Sequence, residues 1–232
     1  MKKVLIVGGV AGGASTAARL RRLDENLEII MFERGEYVSF ANCGLPYHIG
    51  GVIQNRESLL VQTPESLKAR FNLDVRINSE VIEVNGKEKK VRVKTKNGEE
   101  YEENFDFLVL APGAKPILPA IKGIENKKIF TLRNINDMDK IKSEIKNHNI
   151  KKATVVGGGY VGVETAENLK HLGIDTTLIE AAPHILAPFD SEISNILEYE
   201  LVDNGINLLI SEKVTEFQED KDEVIIKLES GK

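Results

Sequence analysis

Cys43, the only cysteine among 232 residues, is the side chain with the clearest potential for chemistry; it lies in the run Ser39-Phe-Ala-Asn-Cys-Gly-Leu-Pro-Tyr47. Polar residues mixed with glycine and proline indicate a loop at this place and not a core strand. Burial as a small apolar residue, which is common for free cysteine, is therefore the weaker interpretation. A lone thiol has no sulfur partner in its own chain. Redox chemistry at Cys43 requires a second sulfur from outside or a cycle through an oxygen adduct.

Two stretches that resemble each other, 149 residues apart, could bind nucleotides. The first consists of a strand at 4–7, a glycine turn at 8–13, a helix-like stretch at 14–23 and a strand at 27–33 that ends in Glu33. The second consists of a strand at 153–156, a glycine turn at 157–162, a helix-like stretch at 163–172 and a strand at 176–180 that ends in Glu180. This order is typical of the βαβ unit in a doubly wound parallel sheet.

The glycine turns and the two acids have the spacing that dinucleotide binding requires. A glycine turn lets the backbone approach a pyrophosphate at the helix N-terminus, and the acid accepts hydrogen bonds from ribose hydroxyls. Glu33 follows Gly13 by 20 residues, and Glu180 follows Gly162 by 18, both within the expected range. The sequence therefore predicts two nucleotide sites.

The two turns differ in one position that bears on how closely a diphosphate can approach. The second has all three glycines, Gly157, Gly159 and Gly162, whereas the first has Val10 where the middle glycine belongs. A carboxylate at Glu180, with no arginine directly after it, repels a ribose 2′-phosphate. We therefore expect NADH, and not NADPH, at the second site.

Both copies continue into antiparallel strands, which gives an α/β fold class with two Rossmann-like dinucleotide-binding units, each followed by a β-meander. The first copy has a strand at 81–84, a hairpin at 91–98 with a tight Asn-Gly turn and a final strand at 105–113. The second has a strand at 214–217 and a hairpin at 224–231. Aligning Gly98 with Gly231 ends the second copy in its hairpin turn, so we expect a fragment whose second unit is truncated.

The predicted division of the chain is 1–114, a connecting segment at 115–149, and 150–232. The connecting segment contains an amphipathic stretch at 135–145, whose lysines we expect to be solvated. A net charge of −5 gives no electrostatic reason to expect nucleic acid or an anionic membrane as partner. The apolar start is too short for a secretion signal, and we expect a cytoplasmic location. The four histidines have no metal-ligand spacing, so no metal site is predicted.

Taken together, these motifs resemble those of the flavin-dependent pyridine nucleotide–disulfide oxidoreductases, over essentially all 232 residues. The chain is similar to the single-cysteine branch, which contains coenzyme A (CoA) disulfide reductases, NADH-dependent CoA-persulfide or polysulfide reductases, and NADH oxidases and peroxidases. The run SFANCGLPY is the most specific element. Asn42 before the cysteine matches the CoA disulfide and persulfide reductases, whereas oxidases and peroxidases usually carry serine or another residue there.

The resemblance implies FAD at the first unit, NADH at the second and Cys43 as the catalytic thiol beside the flavin. The matching cofactor-binding positions are Gly8, Gly9, Val10, Ala11, Gly12, Gly13, Glu33, Arg34, Val81, Ala111, Gly113, Arg133, Gly157, Gly159, Tyr160, Val161, Gly162, Glu164 and Glu180. The positions matching a CoA pocket are Ser15, Arg19, Arg22, Ser39 and Asn42. From the residues alone, Arg19 and Arg22 could equally be a solvent-facing pair, and Glu164 a carboxylate favoured by the helix dipole.

The resemblance makes residues 1–114 an FAD-binding domain, incomplete without a C-terminal return segment, and 150–232 a truncated NAD(P)H-binding domain. It also implies a dimerisation domain beyond this chain, and hence a homodimer for the full-length protein. The leading hypothesis is an FAD-dependent NADH oxidoreductase that reduces CoA disulfide or CoA persulfide and polysulfide through Cys43. Two alternatives stay open: an NADH oxidase or peroxidase that uses a Cys43 sulfenic acid, and a catalytically silent nucleotide-binding fragment.

Overall fold

The computed structural model describes residues 1–221 and 223–232, which form two compact units. The first comprises Met1–Ala41 and Glu57–Ala114; the second comprises Asn42–Arg56 and Lys115–Lys232. The sequence-based division also ended its first domain at 114, but it assigned 42–56 to that domain. In the structure 42–56 groups with the second unit because a short helix within it packs against two helices there.

Helices and strands follow one another along the chain in the order that the two-copy pattern requires. The helices are α1 (Ala11–Leu23), α2 (Leu45–Ile49), α3 (Pro64–Phe71), α4 (Ile135–His148), α5 (Tyr160–His171) and α6 (Ser191–Asp203). The strands are β1 (Lys3–Val7), β2 (Glu28–Phe32), β3 (Asp74–Arg76), β4 (Ser79–Asn85), β5 (Lys90–Thr95), β6 (Glu100–Asn104), β7 (Phe107–Leu110), β8 (Lys152–Val156), β9 (Asp175–Ile179), β10 (Asn207–Leu209), β11 (Val214–Asp220) and β12 (Glu223–Leu228).

The first unit is built on a four-stranded parallel sheet in the order β3-β2-β1-β7. Both faces of its two central strands are covered, which explains the buried apolar runs Val4–Ile6 of β1 and Ile29–Phe32 of β2. Ile6 and Met31 point to a cluster that includes Ala17 of α1. Leu5 and Ile30 point to the opposite face, where an antiparallel sheet in the order β4-β5-β6 lies. The alternation places α1 and the three-stranded sheet on opposite sides of the parallel sheet.

The second unit repeats this plan with a parallel sheet in the order β10-β9-β8 and a β11-β12 hairpin. Leu178 of β9 packs in a cluster with Ala166 of α5. Its neighbour Ile179 packs in another cluster with Phe217 and Leu228 of the hairpin. The predicted α/β fold class with two Rossmann-like units is therefore confirmed.

The predicted equivalence of the two hairpin turns is confirmed in detail. Gly98 has a φ of 87° and donates its N–H to the Thr95 carbonyl at 2.9 Å. Gly231 has a φ of 90° and donates to the Leu228 carbonyl at 3.0 Å. Both positions lie in the left-handed region, which glycine adopts without a Cβ penalty. The same turn thus follows β5 in the first copy and β12 in the second.

The helices that follow the glycine turns begin three residues earlier than the pattern predicted. They start at Ala11 and Tyr160, and not at Ala14 and Val163. In each turn the first glycine has a strongly positive φ, 99° in the first turn and 108° in the second, and bends the chain. Gly12, Gly13 and Gly162 already belong to the first helical turn, so each glycine run extends beyond the bend.

No helix within the described ranges, 1–221 and 223–232, is long and apolar enough to cross a membrane.

We predict that Gly162→Ala destabilises the chain by about 3 kcal/mol or more, at the upper end of overpacking effects. A Cβ at Gly162 would lie 1.9 Å from the Gly157 carbonyl oxygen, which belongs to the backbone and cannot swing away. Urea denaturation followed by circular dichroism measures the loss. Gly159→Ala, where a Cβ meets nothing within 4 Å, is the control and should stay within about 1 kcal/mol. Equal stability of the two variants would contradict the packing argument.

Candidate active site

Cys43 is exposed in a short 3₁₀ turn, Asn42–Gly44, that runs directly into α2. The sequence predicted a loop at this place, and the structure has a helical turn with Pro46 near the start of α2, where proline needs no N–H partner. Gly44 and Leu45, just after the thiol, are buried. The buried residues fix the turn while the sulfur stays accessible, as a nucleophile requires.

Helix α2 packs against α5, the helix that follows the second glycine turn, at a point of very close approach. A Cβ on Gly50, the residue that ends α2, would lie 2.2 Å from Asn168 Oδ1. Asn168 is only 2% exposed and donates its Nδ2 to the Glu164 carbonyl at 2.8 Å. Only glycine fits at position 50, so the cysteine-bearing segment contacts the nucleotide-type helix within one unit.

Tyr47 lies within electrostatic range of the Cys43 thiol and of two carboxylates on α5, those of Glu164 and Glu167. Burial, followed by the carboxylates of Glu164 and Glu167 and the thiol of Cys43, raises the pKa of Tyr47. Burial, followed by the charge of Glu167, raises the pKa of Glu164. Both groups therefore retain a proton at higher pH than they would in water.

In both glycine turns, the acid at the end of the following strand bridges two backbone amides. Glu33 accepts from the Gly9 and Gly35 N–H groups at 2.8 Å each. Glu180 accepts from the Gly158 and Ala182 N–H groups, at 2.6 and 2.7 Å. Each carboxylate oxygen accepts one of these bonds and keeps a further lone pair. Ribose hydroxyls could therefore be bound without breaking the bridge.

Helices α1 and α5 begin with uncapped amides, in contrast to α3 and α4. Neither α1 nor α5 has a side-chain cap or an acid in its first turn. The side chains of Thr63 and Asn134 cap α3 and α4. The first amides of a helix lack internal acceptors and attract anions. A diphosphate therefore fits the start of α1 and of α5.

The valine in the first turn fits its position. Val10 is the N-cap of α1 with a φ of −95°, and the equivalent Gly159 has a φ of −76°. Neither lies in the left-handed region, so the backbone at this point does not require glycine.

The surroundings of the first glycine differ between the two turns. A Cβ on Gly8 would lie 2.0 Å from the Ala111 carbonyl oxygen, because β7 brings Ala111 beside the turn. A Cβ on Gly157 would meet nothing within 4 Å. In the described part of the chain β8 pairs only with β9, so no strand places a residue beside Gly157 as β7 places Ala111 beside Gly8. Tyr160, 53% exposed, stands at its edge and makes an edge-on contact with Phe189.

The residues matched to a CoA pocket fall in both units. Ser15, Arg19 and Arg22 are all exposed on α1, and their spacing of four and three places them on one face. Arg21, between two of them, is buried and donates to the Phe71 and Asn72 carbonyls. The packing thus separates a structural arginine from two that face solvent.

The remaining predicted positions lie as follows. Ser39 has a φ of 45° and donates its N–H to the Gly9 carbonyl at 2.8 Å in the first unit. Asn42 is half-buried in the second unit. Arg34 is exposed, and Val81 packs against the core of the first unit. Gly113 follows β7. Arg133 precedes α4 and donates its N–H to Asp137. Val161, after Tyr160, is exposed.

The prediction that the lysines of α4 are all solvated is wrong for Lys142. Lys140 and Lys146 are exposed, but Lys142 is half-buried and donates to the carbonyl of His48 on α2 at 2.8 Å. The signal in the sequence is its spacing. Lys142 follows Met138 by four residues and Ile135 by seven, on the apolar stripe of the helix.

Comparison with known proteins gives concordant results. The CoA disulfide reductase of Staphylococcus haemolyticus (strain JCSC1435) is 39% identical over 215 residues, 92% of this chain and 48% of its own. The crystal structure of reduced CoADR-RHD from Bacillus anthracis superposes with a TM-score of 0.96 at 50% identity, covering 100% of this chain and 42% of that one. The NAD-dependent persulfide reductase of A. fulgidus gives 0.93 at 34% identity, covering 99% and 43%.

The chain spans about half the length of the curated relatives it matches. Residues 2–232, nearly the whole chain, match the family of pyridine nucleotide-disulphide oxidoreductases. The chain therefore belongs to the pyridine nucleotide-disulphide oxidoreductase family.

Proposed function

We propose that the natural protein containing this chain is an FAD-dependent NADH oxidoreductase that reduces CoA disulfide or CoA persulfide at Cys43. The observation that carries the proposal is the position of the thiol. Cys43 is exposed on a segment that packs directly against α5, the helix of the second glycine turn. The names of similar proteins, a CoA disulfide reductase and a persulfide reductase, support the same substrate class.

The two nucleotide units receive different cofactors in this proposal. The first unit, Met1–Ala41 and Glu57–Ala114, is the proposed FAD-binding domain, with the diphosphate at the uncapped start of α1 and the ribose on Glu33. Residues 150–232 bind NADH, with the diphosphate at the start of α5 and the ribose on Glu180.

The chemistry at Cys43 is thiol–disulfide exchange. The thiolate attacks one sulfur of CoA disulfide, a bond forms between Cys43 Sγ and that sulfur, and the other CoA leaves as thiolate. With CoA persulfide, attack on the outer sulfur releases CoA thiolate and leaves a persulfide on Cys43. FAD, when bound, transfers the two electrons of the NADH hydride to the sulfur bond on Cys43. Tyr47, whose pKa is raised by burial and which therefore keeps its phenolic proton, is the proposed donor to the leaving thiolate.

CoA itself would be held through its phosphates and by the neighbourhood of the thiol. The exposed face of α1 with Ser15, Arg19 and Arg22 offers guanidinium groups that bind phosphate in a bidentate manner. Ser39 and Asn42 flank the cysteine in sequence and are the other two proposed CoA-binding residues. The full-length protein is proposed to be a homodimer.

Steady-state NADH consumption by the full natural protein tests the proposal against its alternatives. Four acceptors are compared: CoA disulfide, CoA persulfide, hydrogen peroxide and oxygen. Faster turnover with a CoA substrate supports the reductase. Turnover with peroxide or oxygen alone would mean that Cys43 cycles as a sulfenic acid, and a protein without any activity would favour a nucleotide-binding role.

We predict that Cys43→Ser lowers turnover of the CoA substrate by roughly 10³-fold or more, the scale expected when an enzyme loses its nucleophile. Serine keeps the size of the side chain but cannot form the sulfur bond. Anaerobic reduction of bound flavin by NADH, followed as loss of its absorbance, is the internal control and should persist. Retained turnover would exclude Cys43 as the reacting group.

We predict that kcat/KM is at least about 10-fold higher with NADH than with NADPH, because the Glu180 carboxylate repels a 2′-phosphate. Glu180→Ala should reduce this ratio, although it also removes the acceptor of the Gly158 and Ala182 amides. Initial rates with both cofactors measure the ratio. A preference of the wild type for NADPH contradicts the assignment of Glu180.

We predict that Glu164→Gln stabilises the isolated chain at pH 7. Since burial raises the pKa of Glu164, its favourable contribution is complete below the unfolded pKa of about 4.3 and is lost as pH rises through the folded value. The neutral amide avoids that loss, so the gain at pH 7 should vanish near pH 4. Denaturation midpoints at the two pH values measure it, with the exposed Glu200→Gln on α6 as control. A gain independent of pH would contradict the explanation.

A further inference from the structure

Two polar contacts join the cysteine-bearing segment 42–56 to one face of α4 within the second unit. Arg56 makes a two-point ion pair with Asp139, with its Nε at 2.9 Å and its Nη2 at 2.7 Å from the carboxylate oxygens. One turn further along α4, Lys142 Nζ donates to the His48 carbonyl at 2.8 Å and lies 3.1 Å from His48 Nε2. A single helix thus contacts the segment at two points.

The hydrogen bonds of His48 fix its tautomer. Its Nδ1 is 2.7 Å from the Ile53 carbonyl, which can only accept, so Nδ1 carries the proton. In a neutral ring Nε2 is then an acceptor, and the Lys142 ammonium is the donor that faces it. His48 is 4% exposed. The ring is therefore satisfied on both nitrogens only while Lys142 is in place.

A half-buried position is unfavourable for the ammonium group of Lys142, because the charge loses part of its hydration there. Burial lowers the pKa of Lys142, and the charge of Asp139 offsets only part of this effect. The equivalent side chains of Lys140 and Lys146 on the same helix are exposed. Helix α2 has only five residues, too few to be stable without tertiary contacts. Its geometry, and that of Cys43 one turn before Tyr47, therefore depends on its neighbours.

We propose that Lys142 is a positioning residue for Cys43: through the ring and carbonyl of His48 it fixes α2, and with it the thiol and Tyr47, against α5. The proposal rests on the proposed function, since it concerns the same sulfur reaction. Gly50 and Asn168 define the other side of the same helix. With Lys142 removed, a buried Nε2 loses its donor, and α2 loses both Lys142 contacts that tie His48 to α4.

The test compares Lys142→Met with Lys140→Met in the full natural protein with FAD bound. Both variants remove one lysine charge from α4, but only the first removes a contact to α2. We expect Lys142→Met to lower kcat with the CoA substrate by about 10- to 100-fold, as misplacement of a reacting group does, with the KM for NADH unchanged. The rate of flavin reduction by NADH in a single turnover, which precedes the thiol step, should not change. Lys140→Met should match the wild type.

Amide hydrogen exchange of residues 43–50 supplies a readout that needs no substrate. We expect Lys142→Met to accelerate exchange there by at least about 10-fold relative to Lys140→Met, because local opening becomes easier. Lys142→Arg, which keeps charged donors, should lie closer to the wild type and provides the comparison if the methionine variant does not fold.

The outcomes separate the two proposals. A wild type without sulfur-substrate turnover overturns the proposed function, while exchange still reports whether Lys142 fixes α2. Equal turnover of the two methionine variants overturns the positioning role, even where exchange differs. An equal slowing of flavin reduction and of the sulfur step also overturns it, because that result indicates a general loss of structure.

Discussion

The close approach of each nucleotide helix to the strand before it is the constraint on which the other features depend. A Cβ on Gly13 would lie 1.8 Å from the Gly8 carbonyl oxygen, and a Cβ on Gly162 would lie 1.9 Å from that of Gly157. The absent side chains let the helix start directly above the strand end. This contact brings uncapped amides, the second glycine and the acid of the next strand to one place, in both copies of the repeat.

Within the second unit, helix α5 joins the proposed NADH site to the segment that carries Cys43. Its first turn offers amides to a diphosphate, whereas its middle, at Asn168, touches the end of the cysteine-bearing helix at Gly50. Glu164 lies between these two regions and shares its electrostatic surroundings with Tyr47. The second glycine turn fixes the position of α5, and α5 in turn packs against α2, the helix that follows Cys43.

The sequence predicted what local spacing determines and missed what distant contacts determine. The two βαβ units, their acids and the Gly98 and Gly231 turns follow from periodicity and from the conformations that glycine permits. The helix starts were placed three residues late because helical glycines look like turn residues. The short helix α2 and the role of Lys142 were not predicted, since they depend on partners 94 residues away. The cofactor and CoA roles came from the family resemblance and stay proposals.

The chain crosses between its two units at 41/42, at 56/57 and at 114/115, and this path has a consequence for biosynthesis. Residues 42–56 leave the ribosome before α4 and α5, which hold them and emerge on the order of 100 residues later. Until then the thiol belongs to a segment without its supporting helices. Cys43 is therefore synthesised well before the helices that pack against its segment, and it reaches its native surroundings only after residues 135–171 have been made.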